Sequence, residues 1–423
     1  IDAIFEEHYQ LGVALTSWAN NWSKSRRFLA GAYLTMEYAV DSAALFNPSI
    51  VPHPDQSGLE EGRCRFVMSL RATGEGHISS IVFRTGVLGR DRAVEIDAPA
   101  RYLHRSRVSP DRHYLRSLFA RKLSEMDVSG KVVERIVHPL PEKFTLAQLN
   151  ETVEQVRPRY RTRPAERQML ETILWLARSN YHIDRDPQAE ISEIVIFPMS
   201  ESESHGIEDL RLVRFVDDDG STTYYGTYTA FNGVRTLPML ISTADFRRIE
   251  VHSLNGACAR NKGMALFPRR VGGHYVMCGR TDGENLFILF SDYVHFWETS
   301  ERLRYPKLPW ELMQIGNCGS PIETSEGWIL LTHGVGPMRE YSIGAMLLDL
   351  EDPLRVIGHL REPLITAEGE EREGYVPNVV YTCGAMVHDE KLYVPYAQAD
   401  RSTSFAVVEL APLVDRLLDS PPD

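Results

Sequence analysis

The sequence predicts an all-β protein: a five-bladed β-propeller with an N-terminal helical arm and a helical insertion after the first blade. Three observations predict it. A strand–turn–strand unit recurs five times, and each copy is preceded by a further short strand. The last four copies follow one another at about 55 to 60 residues, close to the blade length of propellers. The physical reason is burial. One small antiparallel sheet cannot cover both of its faces, but five stacked radially cover one another and leave only short edges. A β-sandwich is the alternative, and three or four strands per unit argue against it.

Residues 1–45 form the arm. Phe5 and Tyr9 stand at helical spacing, and Ser23 to Tyr38 mixes basic with apolar residues, so the arm is expected to pack on the main body or on a partner chain. Residues 46–423 form the propeller. Its first blade opens on the short strand 46–51, followed by strands over 63–72 and 78–84 around the turn Thr73–Gly76.

The insertion, 103–183, reads as helical. Leu115, Leu118 and Phe119 share one face of a helix over 111–126. Thr145 and Gln148 make a capping box ahead of Leu146, Leu149, Val153 and Val156. Pro164 stands where a helix starts, and Met169, Leu170, Ile173, Leu174, Leu176 and Ala177 follow on a broad apolar face. The remaining strand pairs are 224–230 with 237–243, 274–280 with 285–291, 328–334 with 341–348, and 391–397 with 403–409. Their leading strands are 207–213, 264–271, 319–324 and 379–387.

Composition narrows the functional classes. Of 423 residues, 43% are hydrophobic and 25% charged, which is ordinary for a soluble globular chain. A formal charge of −12 argues against a nucleic-acid partner but leaves room for a local basic pocket. No apolar run is long enough to span a bilayer, so no membrane partner is expected. No signal-peptide pattern follows Ile1. Cys64, Cys258, Cys278, Cys318 and Cys383 are scattered without CxxC spacing. They are expected to be reduced thiols of a cytoplasmic protein, and no metal site is expected.

In a propeller the innermost strands begin around a central channel. That brings Asn47 and Asp209 to one funnel, with loops holding Lys262, Gln314 and Tyr375 around it. Gly206–Arg211 stands out: Glu208 and Asp209 are followed within two residues by the guanidinium of Arg211. An acid beside an Arg and a second acid is tuned away from its solution pKa, as general acid catalysis requires. An isolated stretch of this kind is more often an ordinary surface ion pair. The equivalent positions elsewhere are polar too. Blade one offers Arg71; blade three Asn261, Lys262, Arg280, Asp282 and Glu284; blade four Gln314, His333 and Tyr341; blade five Glu373, Tyr375, Asn378 and Asp400. Such a rim is poor packing material and suits a polyhydroxylated or anionic ligand.

Six motifs carry a family resemblance. They are Phe46–Val51, Gly206–Arg211, Ala265–Pro268, Gly327–Val335, Leu347–Pro353 and Glu373–Val380. In this order they resemble glycoside hydrolase family 130, which holds inverting β-mannoside phosphorylases and some β-1,2-mannosidases on a five-bladed propeller. The resemblance covers residues 45–100 and 190–411 and leaves out the arm and the insertion. It implies that Asp209 is the general acid, with Leu210 in place of the family's Pro. It implies that Asn47, Arg71 and Asp400 hold the mannosyl unit, with Glu208, Arg211 and Tyr375 as further substrate contacts. Lys262, Arg280, His333 and Tyr341 match positions that hold phosphate. Two positions depart from the pattern: Gln314 replaces a Lys, and Gly279 replaces a common His.

The expected activity is phosphorolysis of β-linked manno-oligosaccharides, with β-1,2 as the expected linkage, inorganic phosphate as co-substrate, no other cofactor, and α-mannose 1-phosphate as product. A hydrolase with Glu284 activating water is the first alternative. A non-catalytic carbohydrate-binding propeller is the second, and the intact pair Asp209 and Arg211 argues against it. A homo-oligomer through the arm and the insertion is the expected assembly.

Overall fold

The computed structural model describes residues 1–16, 21–103, 107–109, 113–126, 128–160, 163–234 and 236–422. Most of the β structure lies in five antiparallel sheets. The first comprises Ala44–Pro52, Cys64–Thr73, Ser79–Leu88 and Val94–Ile96, with Val195–Ile196 added beside its third strand. The second runs Ile207–Val216, Thr222–Phe231, Thr236–Thr243 and Arg248–Ser253. The third runs Ala265–Leu266, Tyr275–Gly279, Leu286–Ser291 and Thr299–Arg304. In the fourth, Gln314–Asn317 and Ile322–Glu323 both pair with Trp328–Val335, and Tyr341–Leu348 and Val356–His359 follow. In the fifth, Val380–Tyr381 and Met386–His388 both pair with Lys391–Gln398, which pairs with Ser402–Glu409. Each of the five expected strand pairs is present.

Burial explains the strand patterns. Every residue of Trp328–Val335 is buried, as expected of a strand covered on both faces. Arg248–Ser253 alternates instead, because only one face is covered. A separate apolar layer fills each junction. Ile81 and Phe83 of the first sheet meet Leu212 and Tyr228 of the second. Phe215 and Leu240 meet Met277 and Leu289. Ile288 and Phe267 meet Trp328 and Met346. Ile329 and Leu347 meet Leu392 and Val394. Met386 and Tyr393 of the fifth sheet meet Met68 and Leu70 of the first. Burying each such side chain stabilises the fold by about 1.5–3 kcal/mol.

The leading strands differ from expectation near the centre. The fourth sheet begins at Gln314–Asn317 rather than over 319–324, and pairing resumes only at Ile322–Glu323. Pro321 has no N–H to donate, and a Cβ on Gly319 would lie 2.4 Å from the carbonyl oxygen of Cys383. Pairing is likewise interrupted between Tyr381 and Met386, where a Cβ on Gly384 would lie 2.5 Å from Ser49 Oγ. These strands break where their backbones crowd together. In the third sheet only Ala265–Leu266 of the expected 264–271 pairs as a strand.

The insertion is not helical throughout. Its helices are Arg116–Glu125, Lys131–Ile136, Leu146–Val156 and Pro164–Arg178, around a core of their own. Arg107–Ser109 and Tyr181–Asp184 extend the second sheet, and His113–Leu115 pairs with Lys143–Thr145. The helix anticipated from Asp111, itself outside the described residues, therefore begins at Arg116. Strand pairing and the stacking of Tyr114 on Phe144, at 5.3 Å between centroids, take the preceding residues. Leu115 is exposed, whereas Phe119 is buried. The capping box of Thr145 and Gln148 forms, and Pro164 occupies the first helical turn.

In the arm, helices Asp2–Leu15 and Lys24–Leu34 pack against each other. They touch backbone to backbone: a Cβ on Gly31 would fall 1.8 Å from the carbonyl oxygen of Phe5. Beyond them, Tyr38 reaches the first sheet by donating to Glu75 O and setting its ring 5.9 Å from Phe197.

The C-terminal helix Leu410–Leu418 buries Leu413, Val414 and Leu417 against the fourth sheet. Gly358 makes this approach possible, since a Cβ there would lie 2.2 Å from Leu417 O. Gly358→Ala is expected to destabilise the chain by about 1–3 kcal/mol, the usual cost of overpacking. The check is a lower unfolding temperature together with faster proteolysis within 410–418; unchanged protection there would contradict the docking.

Candidate active site

Two leading strands carry a bulge at the same place. The register of the first sheet shifts between Phe46 and Ser49, and that of the second between Glu208 and Arg211. Asn47 and Asp209 stand in these bulges with φ of 50° and 59°. Asn and Asp tolerate this left-handed conformation better than other side-chain-bearing residues, and a bulge re-aims its side chain out of the strand alternation. The two side chains meet: Asn47 Nδ2 donates to Asp209 Oδ1 at 2.7 Å.

They line a polar cavity of about 200 Å³. The first sheet supplies Asn47 and Arg71, and the second Glu208 and Asp209. Lys262 and Arg280 come from the third, and His333, Arg339 and Tyr341 from the fourth. Val376, Val379, Tyr381 and Asp400 close the side next to the fifth. Nine of the anticipated residues are thus brought together.

Three others lie elsewhere. Arg211 is beneath the cavity, only 2% exposed. Tyr375 is 65% exposed and stacks on His77 outside the lining. Glu284 is an exposed residue of a turn capped by Asp282, away from the cavity. Gln314 stands behind the wall, its amide 3.4 Å from His333 Nε2. Asn261 holds a turn, donating to the carbonyl oxygens of Arg280 and Thr281.

Arg339, Tyr381, Val376 and Val379 were not anticipated. Arg339 had a readable signal. It occupies the second position of a tight hairpin turn, as Asp400 does one sheet later.

The charges form a connected set. Arg71 bridges both acids, with Nη2 3.3 Å from Glu208 and Nη1 3.6 Å from Asp209. Lys262 pairs with the other oxygen of Glu208. Arg211 donates to Cys318 O at 2.8 Å, to the Tyr381 hydroxyl at 2.8 Å and to Asp209 O at 2.9 Å. Its Nη2 also lies 3.7 Å from Asp209 Oδ2.

These surroundings set the protonation states. Burial pushes the Asp209 carboxyl up, but Arg71, Arg211, the Asn47 hydrogen bond and Lys262 outweigh it and hold it below the usual range. Asp400 goes the other way. Burial and then the charge of Asp209 push it up to about 6, against the pull of Arg71 and Arg339. Burial, with Arg280 and Arg211 nearby, keeps His333 neutral by lowering its pKa well below the usual value. Its ring stacks on Tyr341, centroids 6.1 Å apart, and meets Tyr381 edge-on at 5.0 Å. A Cβ on Gly316 would stand 2.5 Å from His333 and 2.6 Å from Arg280, so this wall needs glycine there.

Among the described residues no group of three or more His, Cys, Asp or Glu is placed to hold a metal ion. What the cavity offers is a hydrogen-bonded carboxyl group on one side and guanidinium, imidazole and phenol groups on another.

A family model described as beta-1,4-mannooligosaccharide phosphorylase, that of glycoside hydrolase family 130, matches residues 158–418. The chain belongs to this family. The match takes in the main strands of the second to fifth sheets, while the four main strands of the first, with Asn47 and Arg71, precede it. A 1,2-beta-oligomannan phosphorylase of Thermoanaerobacter sp. (strain X514) is 35% identical over 243 residues, 56% of this chain and 80% of the relative. A beta-1,2-mannobiose phosphorylase of the same organism is 34% identical over 212 residues, 49% of this chain and 68% of the relative. The solved beta-1,2-mannobiose phosphorylase of Listeria innocua, in complex with beta-1,2-mannobiose, superposes with a TM-score of 0.51. It covers 90% of this chain and 93% of its own at 18% identity, a likeness of fold.

The raised pKa of Asp400 sets a pH dependence. Its protonated form is favoured by folding, so its contribution is full below pH 4 and is lost as pH rises through about 6. A two-unit rise corresponds to about 3 kcal/mol at high pH. Asp400→Asn removes the charge, so its unfolding midpoint is expected to exceed that of the wild type at pH 8 and to converge with it at pH 4. A difference that does not change with pH would refute this origin.

Proposed function

We propose that the chain is an inverting β-mannoside phosphorylase acting on β-1,2-linked manno-oligosaccharides, with inorganic phosphate as co-substrate. The observation that carries the reading is the division of charge in one cavity. Asp209 is held by Asn47, Arg71 and Arg211, while Arg280 and Arg339 have no carboxylate at ion-pair distance among the described residues. A concentration of cations in a chain of net charge −12 fits a small anion better than water. The names of the relatives support the mannoside and the β-1,2 linkage.

In this reading the five sheets are the blades of a propeller. The packing of the fifth sheet on the first supports that, as do the leading strands, which line this cavity at one end and a second, mainly apolar one further along. Residues 46–423 are then the catalytic domain, 1–45 an arm and 103–183 an insertion.

The chemistry follows from the charges. Phosphate attacks C1 of the mannosyl unit on the face opposite Asp209. A C–O bond to phosphate forms as the glycosidic C–O bond breaks, giving α-mannose 1-phosphate. The leaving oxygen takes its proton from Asp209, through a hydroxyl of the sugar. Asn47, Arg71 and Asp400 hold that sugar, and Arg280, His333 and Tyr341 hold the phosphate with Lys262.

An acid must carry its proton before it can give it, and the cations around Asp209 oppose this. A phosphate near Lys262 offsets part of that positive field and raises the Asp209 pKa. Proton loading of the acid is thereby coupled to arrival of the nucleophile. The hydrolytic alternative has less support, because Glu284 stands outside the cavity.

Incubation with β-1,2-mannobiose is expected to give mannose 1-phosphate only when phosphate is present. Asp209→Asn is expected to lower kcat by about 10²–10⁴-fold, the usual contribution of a general acid. Free mannose released equally fast without phosphate would rule out phosphorolysis, and full turnover by the variant would remove Asp209 from the mechanism.

A further inference from the structure

We propose that Arg339 is a phosphate-binding residue, lining the same cavity as Arg280 and, like it, without a carboxylate at ion-pair distance among the described residues. The proposal rests on the phosphorolytic reading of the site. Three observations carry it.

The first is position. The hairpins Cys64–Thr73 with Ser79–Leu88, Trp328–Val335 with Tyr341–Leu348, and Lys391–Gln398 with Ser402–Glu409 turn over at the cavity end through pairs of residues with positive φ: Gly76 and His77, Met338 and Arg339, Ala399 and Asp400. The second member of the latter two pairs lines the cavity. Arg339 is therefore the counterpart, one sheet earlier, of Asp400.

The second is conformation. Met338 and Arg339 both have φ of 60°. Neither residue type favours this region, and glycine or asparagine would fit the turn with less strain. Gly336 N donating to Glu340 O, and Glu340 N to Pro337 O, hold the loop in place. Met338 is 90% exposed, so the turn is not kept for the burial of its first residue. What it achieves is to bring the Arg339 side chain to the cavity.

The third is the distribution of charge. Arg71 and Lys262 are committed to Glu208, and Arg71 also to Asp209. Arg211 is below the cavity floor. His333 is neutral, and Gln314 behind it adds no charge. That leaves Arg280 and Arg339 as the lining cations with no carboxylate at ion-pair distance among the described residues, placed to meet an incoming dianion together with Lys262. Arg339 comes from the fourth sheet, with His333 and Tyr341, whereas Asp209 comes from the second. An inverting displacement needs the nucleophile held on the side away from the acid.

The test compares the wild type with Arg339→Gln and Arg339→Lys, varying phosphate and β-1,2-mannobiose separately. Loss of one charge-assisted contact to phosphate is expected to raise the phosphate KM by about 10-fold or more in Arg339→Gln. The mannobiose KM should stay within about twofold, and Arg339→Lys should recover part of the loss. A phosphate KM unchanged in Arg339→Gln would overturn the assignment, as would a rise confined to the mannobiose KM.

Calorimetric titration with inorganic phosphate alone provides a readout independent of turnover. Weaker binding to Arg339→Gln than to the wild type supports the assignment, and equal affinity or no binding to the wild type overturns it. If the wild type releases mannose without phosphate, the phosphorolytic reading fails, and the titration still decides the role of Arg339.

Discussion

The buried guanidinium of Arg211 is the constraint on which the site depends. It leaves the second sheet to reach the carbonyl oxygen of Cys318 and the hydroxyl of Tyr381, and it folds back onto the carbonyl oxygen of its own Asp209. A charge so deeply buried is tolerable only when its donors are matched, because an unpaired one costs several kcal/mol. Two of the matching groups, Cys318 and Tyr381, lie 107 and 170 residues along the chain. They converge only because the leading strands of the second, fourth and fifth sheets crowd together. The same cation then lies under the Asp209 carboxyl and fixes the electrostatic floor of the cavity.

Above that floor the charges divide by task. Arg71 spans Glu208 and Asp209, and Lys262 closes on Glu208 from the third sheet. This network ties one side of the cavity together and, with Arg211 and Asn47, holds the Asp209 carboxyl below the usual range. On the other side, His333 is held neutral between Tyr341, Tyr381 and the nearby arginines. A neutral imidazole both donates and accepts, so it offers hydrogen bonds to the cavity without adding another charge. Asp400, pushed toward its protonated form, also becomes able to donate. The opposite shifts of Asp209 and Asp400 arise in one cavity from unequal access to the same cations.

Local patterns were readable wherever a local cause decides them. Alternation and β-rich runs placed the five hairpins of the main sheets, and the capping box of Thr145 and Gln148 placed a helix start. The leading strands were harder. Their breaks at Gly319 and Gly384 come from contacts with Cys383 and Ser49, far away in sequence. In the insertion, pairing of His113–Leu115 with Lys143–Thr145 overrode a plausible helical period. Among site residues, Tyr375 and Glu284 had suitable chemistry beside the right motifs, yet their loops carry them outward. Arg339 was passed over although it stands between paired strands as Asp400 does, because Met and Arg do not mark a turn of positive φ.

The sequence by itself determined the five strand-rich units, their order, and the family motifs around Asp209, because periodicity and motif order are properties of short stretches. Only the tertiary structure decided which of the polar residues share a cavity and what charge each carries there. Those depend on how neighbouring sheets meet: the Asn47–Asp209 contact joins two bulges 162 residues apart, and the field at each carboxyl sums cations contributed by several sheets.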